Sequence, residues 1–99
     1  MVRIDDILDK HLEKRPNADI SKIQRAYIYS AKQHEGQLRK SGEPYMVHPL
    51  SVAKITAEMG LDESSICSAL LHDTIEDTST TVEDLTNLFG TEVADIVDG

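Results

Sequence analysis

His72, Asp73, Glu76 and Asp77 place four ionisable side chains within six residues, directly after the apolar run Ala69-Leu70-Leu71. On a helix turning about 100° per residue, with His72 at zero, Glu76, Asp73 and Asp77 fall at about 40°, 100° and 140°, while Leu71 and Ile75 fall on the opposite side. Carboxylates crowded into one such arc beside buried leucines repel one another and lose hydration unless a cation sits among them. A divalent metal resolves that conflict, and a neutral imidazole with carboxylate oxygens suits Mn²⁺, Fe²⁺ or Zn²⁺. The alternative is a solvated helix end capped by Thr78, and the residues by themselves leave both open.

A closed site needs a donor from elsewhere, and His48, between Val47 and Pro49 at the start of a helix, is the strongest candidate. Its other reading is a histidine hydrogen-bonded to backbone at that helix start. Arg39 and Lys40, followed by Ser41-Gly42, form the densest positive charge near this cluster. They read either as two solvated loop cations or as a clamp for a phosphate or nucleotide, in which Arg39 can stack on a planar base as well as pair with phosphate. His11 and His34 lie on polar stretches and are expected at the surface. Cys67 is the one cysteine, so an intramolecular disulfide is excluded, and its apolar surroundings Ile66 to Leu70 make it a small buried hydrophobe in a reducing compartment.

The elements that must position these groups are helical, because apolar residues recur at spacings of three and four and nowhere alternate over strand lengths. Ile4, Ile7, Leu8 and Leu12 mark a first helix ended by Arg15-Pro16. Asp19 or Ser21 caps a second, through Ile23, Ala26, Tyr27, Ser30 and Ala31 to about Glu35. Gly36 to Val47 reads as a loop punctuated by Gly42 and Pro44, and Pro49 suits the first turn of a third helix that Gly60 stops. Asp62 caps a central fourth helix from Glu63 to about Asp77. Thr81 caps a helix from Val82 to Phe89, and Thr91 caps a last one after Gly90.

Ninety-nine residues fit one domain, and 10 Lys plus Arg against 18 Asp plus Glu give a net charge of −8. Such a balance argues against a sequence-independent grip on DNA or on an anionic membrane. The apolar runs fall far short of the ~20 residues that span a bilayer, and acids stand where a secretory signal would be apolar, so the expected compartment is the cytoplasm.

Three blocks carry a resemblance: Gly36-Gln37-Leu38-Arg39-Lys40-Ser41-Gly42-Glu43-Pro44-Tyr45, then Val47-His48-Pro49-Leu50, then Leu70-Leu71-His72-Asp73-Thr74-Ile75-Glu76-Asp77-Thr78. In this order the sequence resembles the HD-type hydrolase domain of the Rel/SpoT family of (p)ppGpp synthetase/hydrolases, from about Ser21 onward. The resemblance implies an all-α domain that holds one Mn²⁺ and hydrolyses the 3′-pyrophosphate of (p)ppGpp to GDP or GTP and pyrophosphate. It implies His48, His72 and Asp73 as metal ligands. Glu76 and Asp77 would position and activate water, and Arg39, Lys40 and Ser41 would hold the guanine nucleotide.

The family's domain is roughly twice as long, and its remaining metal-ligand Asp lies in a later helix. Residues 1–99 are therefore expected to be the N-terminal portion of that domain, with impaired activity. Asp95 and Asp98 are not assigned the missing role. Two other functions stay in view: an HD phosphohydrolase of another nucleotide, and a non-catalytic helical module that self-associates through apolar surface on its central helix.

Overall fold

Ile4, Ile7, Leu8 and His11 repeat at helical spacing, and the first helix, α1 (Ile4–Lys14), turns that stripe inward. The computed structural model describes residues 2–99. Helix α2 (Ser21–Gln33) begins where Asp19 Oδ1 accepts from the Ser21 amide at 3.0 Å and from its hydroxyl at 2.6 Å. Helix α3 (Val47–Glu58) starts two residues before Pro49, whose missing N–H falls among the first-turn amides that have no partner in any helix.

Helix α4 (Glu63–Leu71) is the centre of the molecule. Asp62 caps it by accepting from the Ser65 amide at 2.9 Å. Its residues Ile66 to Leu71 are all buried, and it packs against α2, α3 and the last helix. Burial on nearly every side explains why this segment is apolar all round rather than striped. Cys67 is fully buried here, and burial pushes its thiol up to about 11, as expected of a packing residue.

The fourth helix does not run on to Asp77. It stops at Leu71, and a separate turn, α5 (Thr74–Asp77), follows. At this junction the buried Thr74 hydroxyl donates to the Leu71 carbonyl at 2.7 Å. Thr78 then closes α5 by donating to the Thr74 carbonyl at 2.6 Å, and Thr80 ties this end to Tyr29 of α2 through a hydroxyl pair at 3.0 Å.

Helix α6 (Val82–Phe89) opens on a reciprocal cap between Thr81 and Asp84, with both bonds near 3.0 Å. Helix α7 (Thr91–Asp98) follows after Gly90 alone, which adopts φ 94° and serves both helix ends. Thr91 is therefore the first helical residue and not the cap, since one intervening residue leaves no room for another. Among the described residues there is no β-strand, and the all-α reading holds.

Candidate metal centre

The break between α4 and α5 aims His72 and Asp73 toward the start of α3. One donor atom from each of His48, His72 and Asp73 falls within 4.8 Å of the others. The imidazoles of His48 and His72 stand 5.6 Å apart, centroid to centroid, at 64°. His72 Nδ1 lies 2.7 Å from the Ala69 carbonyl, so an N–H there fixes the tautomer and leaves the Nε2 lone pair free. That Nε2 lies 3.2 Å from Asp73 Oδ1. Two donors each about 2.1 Å from one ion and about 90–100° apart would stand about 3.0–3.2 Å from each other, so the pair fits a shared divalent ion. Two imidazoles and a carboxylate form a borderline-hard set that leaves coordination positions open, as a catalytic site requires.

Glu76 and Asp77, one turn further on, are both solvent-exposed. Asp77 is held by the preceding loop: Gln37 Nε2 donates to its carbonyl at 3.1 Å, and the Tyr45 hydroxyl donates to its carboxylate.

Residues 38–44, expected as a loop without structure of its own, form a closed hairpin. Leu38 and Pro44 make an antiparallel bridge, the Arg39 amide donates to Glu43 at 3.0 Å, and the Gly42 amide donates to Arg39 at 2.8 Å. Gly42 takes φ 86°, a left-handed conformation that favours glycine. Arg39, Lys40, Ser41, Glu43 and Tyr45, with Leu38, line an open concavity of about 670 Å³. The expected clamp residues are thus neighbours on one turn, next in sequence to the His48 helix.

Two histidines depart from expectation. His11 and His34 are not surface residues; they are 1% and 3% exposed. His11 follows Ile7 by one turn on the inner face of α1, and its Nε2 approaches Glu63 Oε1 at 3.2 Å. A hydrogen bond to its own backbone, followed by that histidine, holds the Glu63 carboxyl below its ordinary value. His34 continues the Ala26–Ser30 stripe of α2 and is covered by the Tyr45 ring, stacked at 4.0 Å and 8°. The helical repeat carried both signals, which the polar neighbours in sequence masked.

An apolar groove of about 300 Å³ runs from His72 along α3, α4 and α7, lined by Val52, Thr56, Ala69 and Ile96 among others. Among the described residues no helix is long and apolar enough to cross a membrane.

Residues 26–99 match the HD domain family. The chain is 59% identical over 99 residues to the GTP pyrophosphokinase of Myxococcus xanthus, covering 96% of this chain and 13% of that one. It is 47% identical over 98 residues to the guanosine-3′,5′-bis(diphosphate) 3′-pyrophosphohydrolase of Aquifex aeolicus, covering 99% and 14%. The bifunctional (p)ppGpp synthase/hydrolase SpoT of Escherichia coli is 50% identical over 84 residues, covering 85% and 12%. The chain thus spans between 12% and 14% of the length of these curated relatives.

Proposed function

Because the chain belongs to the HD domain family, we propose that it supplies the metal-holding part of a hydrolase that removes the 3′-pyrophosphate of guanosine tetra- or pentaphosphate. The observation that carries this is the convergence of His48, His72 and Asp73 from two separate elements, with the hairpin that carries Arg39 and Lys40 tied to the following α5 through Gln37 and Tyr45 on Asp77. The relatives named for guanosine 3′-pyrophosphate hydrolysis support the substrate. In this reading residues 1–99 form the N-terminal portion of the hydrolase domain, working in the cytoplasm on a nucleotide and not on DNA.

His48, His72 and Asp73 would hold the ion; the donor set suits Mn²⁺, Fe²⁺ or Zn²⁺, and the family resemblance singles out Mn²⁺. When bound, such an ion supplies a Lewis acid and makes water a stronger acid. Glu76 and Asp77, exposed one turn beyond, orient the attacking water and accept its proton. Arg39 offers a flat guanidinium to the guanine, Lys40 a point charge to phosphate, and Ser41 a hydroxyl donor to the same groups. Water adds to the phosphorus nearest the sugar, the 3′ oxygen leaves and is protonated, and the products are GDP or GTP and pyrophosphate.

The test is a nucleotide panel assayed with Mn²⁺, reading pyrophosphate release. Preference for (p)ppGpp is expected; equal rates on nucleotides lacking a 3′-pyrophosphate would instead favour a general nucleotide phosphohydrolase.

A second reading rests on a different observation. The central helix, expected to carry exposed apolar surface, is buried from Ile66 to Leu71, whereas Leu61 and Ile96, 41% and 47% exposed, line the apolar groove. Apolar surface of this kind drives association, so self-association through this face is expected at high concentration. Light scattering that shows only monomer across a wide concentration range would exclude it.

A further inference from the structure

His34 is buried, its Nε2 has no hydrogen-bond partner, and the proposed chemistry gives it no task. An unpaired buried nitrogen costs stability, so the position needs another reason. Its ring lies flat against Tyr45 at 4.0 Å, and its Nδ1 approaches Gln37 Oε1 at 3.5 Å. Gln37 and Tyr45 are the two legs of the hairpin, one just before the Leu38–Pro44 bridge and one just after it. Both legs end on Asp77: Gln37 on its backbone carbonyl and Tyr45 on its carboxylate.

Helix α5 is only four residues long, and a helix that short has no stability of its own, so the place of its last residue depends on outside contacts. The parallel stack on His34 sets the plane of the Tyr45 ring, and with it the position of the hydroxyl. Once Oδ2 accepts from that hydroxyl, Oδ1 is the oxygen left to orient a water.

We propose that Tyr45 is a positioning residue for Asp77, with His34 as the brace behind its ring, so that Asp77 and the hairpin carrying Arg39, Lys40 and Ser41 take up their places together. The proposal rests on the reading of Asp77 as a water-orienting carboxylate.

Its test has an arm that needs no activity. With carbon-13 label at aspartate carboxyls, the Asp77 resonance in the nucleotide-free chain should move in Tyr45→Phe, which keeps the ring and removes the donor. It should also move in His34→Ala, although His34 does not touch Asp77, and return toward the wild-type position in His34→Phe, which restores a flat ring. If His34→Ala does not fold, Tyr45→Phe and His34→Phe still decide the matter. A resonance unmoved in Tyr45→Phe overturns the proposal.

In the active, Mn²⁺-loaded enzyme, Tyr45→Phe should lower kcat about tenfold and raise KM by a smaller factor, because the hairpin that carries Arg39, Lys40 and Ser41 loses the same anchor. The double variant Tyr45→Phe/Asp77→Asn should be no slower than Asp77→Asn alone, because residues acting through one another are not additive. Full additivity overturns the proposal. Absence of (p)ppGpp hydrolysis by the complete hydrolase domain would refute the proposed function instead, and the resonance would still decide whether Tyr45 positions Asp77.

Discussion

His72 Nε2 lies 3.2 Å from Asp73 Oδ1, with the opposite ring nitrogen turned to the Ala69 carbonyl at 2.7 Å. Both residues stand at the junction where α4 ends at Leu71 and α5 begins at Thr74, so the candidate chelating pair sits between two helices.

Mn²⁺ should raise the melting temperature of the wild-type chain, since a ligand specific to the native state adds about 2.7 kcal/mol at a hundred times its Kd. His72→Ala should abolish that shift and the calorimetric binding isotherm together. Equal binding by both proteins would remove His72 from the ligand set.

Glu76→Ala should reduce kcat of the active enzyme by roughly 10²- to 10⁴-fold, the usual range for a positioned acid or base. Mn²⁺ affinity should stay near wild type, because Glu76 lies outside the His48, His72 and Asp73 group. Stopped assays alongside metal titration separate the two effects, and an unchanged kcat would exclude the role.

Arg39 and Lys40 share one hairpin but differ in chemistry. Arg39→Lys keeps the charge and loses the stacking plane, so KM for (p)ppGpp should rise with less effect on kcat. Lys40→Ala should weaken all phosphate-rich ligands and change the salt dependence of KM, because screening acts on charge. Identical, purely salt-dependent defects at two ionic strengths would leave only a nonspecific phosphate clamp.

Asp62 caps α4, and its carboxyl is held below the ordinary 3.8, first by the Ser65 amide and then by the Ser65 hydroxyl, with Arg15 nearby. Its contribution is full above pH 3.8 and is lost as pH falls through the lower folded value. Asp62→Ala should cost about 1 kcal/mol at neutral pH. Denaturant melts should show that difference shrinking at the acid end; a constant difference down to the lowest pH would mean that the charge of Asp62 plays no part.

Much of this protein was legible in short range. The helical repeats of Ile4 to Leu12 and Ile23 to Ala31, the caps Asp62 and Thr81, and the stops at Gly60 and Gly90 act within a turn or two, where the energies of capping and backbone conformation are local. The cluster from His72 to Asp77 announced itself in the same way, as charge set against buried leucines. Tertiary structure decided the rest. It showed that α4 ends at Leu71 and that a separate turn, Thr74–Asp77, follows, where the charged sequence gives no glycine or proline to mark a boundary. It brought His48 to His72, which no spacing along the chain specifies. It also buried His11 and His34, whose polar character is outweighed only when Glu63 on α4 and Tyr45 on the hairpin supply their other faces, since burial is settled by partners far away in sequence.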